Sequence, residues 1–179
     1  MKRRLVFIWA LVILFFVIAI VAYFYMPDKV ASHWNYKGEV DSYSSKFSGV
    51  FLMPLITLIV VLILLGLPLI FPLKENIEKI RKYYDNFIIL FLLFLMLVYL
   101  STVLWNLGYK VNMLYLFPVA IGVLLFYTGI ILQKSKRNWI IGIRTPWTLS
   151  SDYVWDKTHA LGGKLFKICG VISVIGTFF

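Results

Sequence analysis

A chain of 179 residues that is 61% apolar and 18% aromatic, with a mean hydropathy of +0.88, has too little polar surface to cover a soluble core, so it reads as an integral membrane protein. Its formal charge of +10 does not imply nucleic acid, because the basic residues gather beside apolar runs, where the positive-inside bias accounts for them. The single cysteine, Cys169, lies in a late apolar segment and excludes both an internal disulfide and a cysteine metal pair.

Met1-Lys2-Arg3-Arg4 leads into Leu5 to Tyr25, an apolar run of 21 residues that suffices to cross the bilayer. A cleaved signal peptide would share the basic start, but the run is longer than the usual apolar core, and only Ala19 and Ala22 resemble a cleavage pattern. Residues 26–48 form a polar loop, opened by Pro27 and turned at Gly38. A second span covers 49–71, with Pro54 near its start and Gly66 and Pro68 near its end. The charged segment 72–86 is a helical lead into the third span. It pairs Glu75 with Lys79 and Glu78 with Lys82 at i,i+4, beside an apolar stripe of Ile77, Ile80 and Tyr84. The third span, 87–107, and the fourth, 113–132, are joined so tightly that they must be antiparallel neighbours. Gly122 and Gly129 mark one face of the fourth as a place of close helix approach.

The stretch Asn138 to Gly163 is the one chemically specific segment between apolar runs. Thr145-Pro146 ends any helix arriving from upstream, and Ser150-Ser151-Asp152 starts another, with a serine cap and an acid at the positive dipole end. That helix is expected to stop at Gly162-Gly163. The last apolar segment, 165–179, is then short for a span, so either its helix begins earlier or the sequence stops before its natural end; we expect the second, with a sixth span to follow. The fold class is thus all-α, a polytopic transmembrane helix bundle with five hydrophobic segments visible. It divides into 1–71 (two spans and an outer loop) and 72–179 (spans at about 87–107, 113–132 and 165–179, with an inner loop at 133–164).

Lys and Arg number three at 2–4, four at 72–86 and seven at 133–167, fourteen on one side, against three at 26–48 plus Lys110 on the other. The richer side is expected to be cytoplasmic, with the N-terminus inside and His33 outside. Asp152, Asp156 and His159 recur at i, i+4 and i+7, which brings two carboxylates and an imidazole within reach of one another. With no further ligand, capping and local hydrogen bonding is the plainer reading, and neither a metal nor another cofactor is expected. Coupled transport is disfavoured because 5–25, 49–71, 87–107 and 113–132 contain no ionisable residue. The lack of a nucleophile with its base argues against an enzyme.

Two patterns carry a family resemblance. Pro27, His33, Asn35, Gly38, Asp41 and Lys46, spaced P-x5-H-x-N-x2-G-x2-D-x4-K after a first span, resemble a small extracytoplasmic domain of unknown function found in Gram-positive and archaeal membrane proteins. Asn138, Gly142, Arg144, Thr145, Pro146, Trp147, Thr148, Leu149, Trp155, Thr158 and His159 resemble the defining motif of the SdpI family of bacteriocin immunity and signal-transduction proteins, from which Ala160 departs, an arginine being common there. The resemblance implies six spans, protection against a secreted membrane-active toxin peptide, and sequestration of a cytoplasmic ArsR-type repressor at the membrane. The expected outer recognition residues are His33, Trp34, Asn35, Gly38 and Asp41; Tyr36 beside them and the three tryptophans 139, 147 and 155 also suit interfacial anchoring. The expected inner partner-binding residues are Asn138, Arg144, Pro146, Trp147, Trp155 and His159. Partners are membrane lipid, the toxin and the repressor, with no direct nucleic acid. The competing reading is a structural or lipid-sensing membrane protein without a toxin partner.

Overall fold

The computed structural model describes residues 2–179 and, for Lys74, the backbone alone. In chain order it contains α1 (Lys2–Tyr25), β1 (Lys29–Trp34), β2 (Val40–Ser45), α2 (Lys46–Ile70), α3 (Lys74–Lys79), α4 (Arg81–Asn106), α5 (Met113–Lys134), α6 (Pro146–Ser150) and α7 (Asp152–Gly176). Among the described residues five helices, α1, α2, α4, α5 and α7, are long and apolar enough to cross a membrane, giving the expected polytopic bundle.

The segment expected to be a polar loop is instead a β-hairpin. The Asn35 side chain organises its turn, accepting from the Lys37 and Glu39 amides at 2.9 and 3.1 Å, while Gly38 takes a φ of 78° that other residues rarely adopt. Strand pairing is antiparallel, Lys29 with Ser45 and Ala31 with Tyr43. The outward edge of β1 is closed from α4: Asn106 accepts from the Ala31 amide at 2.7 Å and donates to its carbonyl at 3.0 Å. Ser45, the last hairpin residue, accepts from the Ser48 amide as N-cap of α2, which is why that helix begins at Lys46 rather than at 49.

The core lies among α1, α2 and α4. Phe15 stacks on Tyr99 with ring centres 5.7 Å apart, and two tyrosines tie α4 to α2 by donating to backbone carbonyls: Tyr99 to Val50 at 3.0 Å and Tyr84 to Leu64 at 2.6 Å. The charge pairs expected at 72–86 form differently. The chain breaks at Ile80 between α3 and α4, so Glu78 and Lys82 do not share one helix; Glu78 and Asp85 instead bracket Arg81, at 3.1 and 2.7 Å.

The largest correction concerns the C-terminal segment. Gly162-Gly163 does not stop a helix; α7 runs unbroken through both for 25 residues, about 37 Å, so the short last segment is explained by a helix that begins earlier. The glycines serve as contact points. A Cβ on Gly129 would lie 2.5 Å from the Gly163 carbonyl oxygen, and one on Gly170 would lie 2.5 Å from that of Gly122. The close approach read from Gly122 and Gly129 is thus real and its partner is α7. Leucine at Gly170 would meet backbone, which cannot yield as a side chain can; such overpacking is expected to cost about 1–3 kcal/mol, seen as a lower melting temperature in detergent. An unchanged melting point would show that α5 and α7 are not so closely seated.

Candidate functional site

The inner loop between α5 and α7 is built around three buried side chains. Asn138 folds the backbone over itself. Its oxygen accepts from the Ile140 and Ile141 amides at 2.8 and 2.7 Å, and its nitrogen donates to the Lys136 and Ile141 carbonyls at 2.7 and 3.1 Å. Gly142 follows at a φ of 133°, where a Cβ would strike the His159 imidazole and lie within 2.9 to 3.0 Å of the Trp155 ring. His159 faces the Trp155 carbonyl with Nδ1 at 2.8 Å and receives the Ile143 amide on Nε2 at 2.9 Å. A carbonyl on one side and an N–H on the other fix the tautomer: the proton is on Nδ1 and the lone pair on Nε2. Trp155 stacks on that ring with centres 3.9 Å apart and donates its indole N–H to the Ser135 carbonyl at 3.2 Å. Trp155 is 0% and His159 1% exposed.

The rest of the loop is tied to this centre. Thr145 caps α6 in a reciprocal box with Thr148, Pro146 takes the first turn where its missing N–H costs nothing, and the Thr148 hydroxyl donates to the Ile143 carbonyl at 2.8 Å. Ser151 caps α7, as its sequence suggests. Arg137 donates to the Leu149 carbonyl at 2.9 Å and pairs with Asp152, while Lys136 pairs with Asp156 at 3.0 Å. Asp152, Asp156 and His159 therefore do not converge: two basic residues draw the carboxylates outward and the imidazole turns inward.

Of the six inner residues expected to meet a partner, Asn138, Trp155 and His159 are buried and spend their polar atoms inside the loop. Pro146 is exposed at the head of α6, and Arg144 and Trp147, the latter 70% exposed, present side chains to the surroundings. Arg144 also donates to the Trp139 carbonyl.

At the far end of the bundle His33 and Asp41 meet across the hairpin at 2.5 Å, and Trp34 lies edge-on to Trp105 at 5.8 Å. His33, Trp34, Asn35 and Gly38 line a cavity of about 390 Å³ whose other walls include Met53 of α2, Thr102 of α4 and Phe117 of α5. Four of the five expected outer residues thus border one space, and the fifth, Asp41, holds His33.

Three further features are not evident in the sequence. Asp85 is fully buried against Arg81, with its second oxygen lacking a partner among the described residues. Asn106 reaches back to β1 from the end of a span. A second cavity, of about 300 Å³, lies behind the inner loop, bordered by Ile140 to Ile143 together with α2, α4, α5 and α7. An acid in the first turns of an apolar helix is the one sequence signal that could have pointed to the first of these.

The family model described as Domain of unknown function (DUF1648) matches residues 10–58, and that of the SdpI/YfhL protein family matches 134–179. Immunity protein SdpI of Bacillus subtilis (strain 168) is 31% identical over 179 residues, which cover 100% of this chain and 83% of that relative. No solved structure matches the chain.

Proposed function

We propose that this chain, which belongs to the SdpI/YfhL protein family, is a multi-pass membrane immunity protein that protects its cell against a secreted, membrane-active toxin peptide. The observation that carries this reading is the identity of 31% along the entire chain to a relative named as an immunity protein. The N-terminus is cytoplasmic, in keeping with fourteen of the 18 Lys and Arg at that end of the bundle, namely those at 2–4, 72–86 and 133–167. The toxin is engaged on the opposite face, at the cavity under the hairpin. Its rim of His33, Trp34 and Asn35 over Met53 and Phe117 suits a peptide with one polar and one apolar side.

The inner loop is the output surface. Arg144 and Trp147 are exposed on a frame held by Asn138, Trp155 and His159, so their positions follow the frame rather than their own flexibility. An ArsR-type repressor docks there when toxin is bound outside, which requires the loop to differ between the two states.

A toxin-sensitive strain expressing the chain, challenged with the medium of a toxin-producing culture, tests both halves. Expression should rescue survival. The double variant His33→Ala/Trp34→Ala should lower it about tenfold, equivalent to ~1.4 kcal/mol of lost binding, at an equal membrane level of protein. Arg144→Ala/Trp147→Ala should leave survival intact but release the repressor from the membrane fraction. Equal killing with and without the wild-type chain would rule out immunity.

A further inference from the structure

We propose that the toxin peptide carries a carboxylate beside its apolar side and seats it between Lys37 and Lys110, in a pocket that adjoins the cavity under the hairpin. The inference rests on the immunity reading and names the chemistry of the guest at that site.

The pocket, of about 360 Å³, is built by two short stretches: Lys37 and Gly38 of the hairpin turn, and Trp105 with residues 110–114 around the connection from α4 to α5. The stretches touch, since a Cβ on Gly38 would lie 3.6 Å from Cγ of Leu114. Asn35 holds the turn through the Lys37 and Glu39 amides, and Asn112 caps α5 by accepting from the Leu114 amide at 3.2 Å. Both walls are thus held by local hydrogen bonds.

Charge decides what kind of guest fits. Among the described residues no carboxylate lines this pocket or the cavity beside it. The acids of the hairpin turn and second strand are engaged: Glu39 accepts from the Asn35 side chain at 3.1 Å, and Asp41 pairs with His33. Lys37 and Lys110 are exposed and have no carboxylate partner among the described residues. The Tyr36 ring, centred 5.7 Å from Lys37 Nζ, holds that ammonium without neutralising it. Two cations on a concave wall with no counter-charge favour an anion.

Position decides what carries the anion. Gly38 and Leu114 border both spaces, as does Met113, so a guest lying under the hairpin against Met53 and Phe117 runs directly into the pocket of the lysines. A free inorganic anion would leave the apolar cavity unused. An unmodified peptide fills both, and its acidic group is a carboxylate, at the C-terminus or on Asp or Glu. Because both lysines are exposed, they act mainly on encounter: such charges alter association rate and salt dependence more than dissociation.

The test uses the full chain in phosphatidylcholine nanodiscs, where the lipid adds no net charge, and the peptide purified from a toxin-producing culture by its killing of the sensitive strain. Association and dissociation rates are read at low and at physiological salt. Lys37→Gln/Lys110→Gln should slow association about tenfold at low salt, lose most of the salt dependence of the wild type and leave dissociation within about threefold. Lys29→Gln removes the same charge from the other end of the hairpin, where Lys29 lines neither space, and should associate like the wild type. Synthetic copies of the peptide, amidated at the C-terminus or carrying Asn and Gln for Asp and Glu, identify the carboxylate. At least one copy should bind the wild type as slowly as the native peptide binds the double variant. Three results would each overturn the carboxylate site and leave the immunity reading standing: equal association by wild type and double variant, a Lys29→Gln variant as slow as the double, or both synthetic copies binding at the native rate. The last comparison needs no variant. A peptide that kills the sensitive strain but does not bind the wild-type chain would bring down both readings.

Discussion

Gly142→Val is expected to detach the inner loop from α7. The position combines a φ of 133° with a backbone lying directly on the His159 and Trp155 rings, so a β-branched residue is excluded twice, by its own conformation and by its neighbours. Strained backbone alone costs about 1–3 kcal/mol, and pushing His159 away leaves the Ile143 amide without its acceptor, for about 1–3 kcal/mol more. The loss would appear as a lower thermal midpoint in detergent, together with faster tryptic cleavage at Arg144. Gly142→Ala should do the same to a smaller degree. A valine variant that melts with the wild type and resists trypsin equally would show that the loop is not latched on the His159 ring.

Arg81→Met is expected to be comparably damaging for an electrostatic reason. Asp85 is 0% exposed, one of its oxygens faces the Arg81 guanidinium at 2.7 Å, and the other has no partner among the described residues. Removing the arginine strands a carboxylate in an apolar bundle, which typically costs about 3–5 kcal/mol. Removing both members is another matter. Arg81→Met with Asp85→Leu should recover most of the loss, because replacing a buried pair by apolar groups is often neutral. A double-mutant cycle on chemical unfolding measures the coupling. If the single variant unfolds within about 0.5 kcal/mol of the wild type, the range of a surface substitution, the pair contributes nothing of the kind.

What could be read from the sequence follows the range of the interaction that fixes each feature. Spans were legible because twenty apolar residues in a row describe their own solvent, and the Ser151 cap because a helix start depends on three or four neighbours. The family followed from two spaced motifs and agrees with the relative found along the whole chain. The hairpin was not legible: its strands are short and mixed in polarity, and the residue that closes β1, Asn106, lies 75 positions away. Gly162-Gly163 looked like a helix stop because a local reading sees only the missing side chain. The Ile143 side chain of the inner loop at Gly162, and the Gly129 carbonyl and Gln133 side chain of α5 at Gly163, become visible only in three dimensions. His159 was grouped with Asp152 and Asp156 by helical spacing, yet its partners are a loop amide and a ring stacked one turn away. By sequence Asp85 falls in the charged lead 72–86, although α4 carries it inside.

The arrangement of close helix approaches has a mechanical consequence. Helices α1 and α2 contact each other and α4, whereas α5 and α7 contact each other, and among the described residues α5 alone of that second pair reaches α4. The protein is therefore built like a book: two stiff leaves bound along α4 as a spine. At the inner margin the Asn76 amide, donating to the Arg137 carbonyl at 2.8 Å, acts as a clasp between them. The inner loop is fixed to one leaf and leans through Ile140 and Ile141 on the core shared with the other, so a change in the angle between the leaves would reach the loop directly.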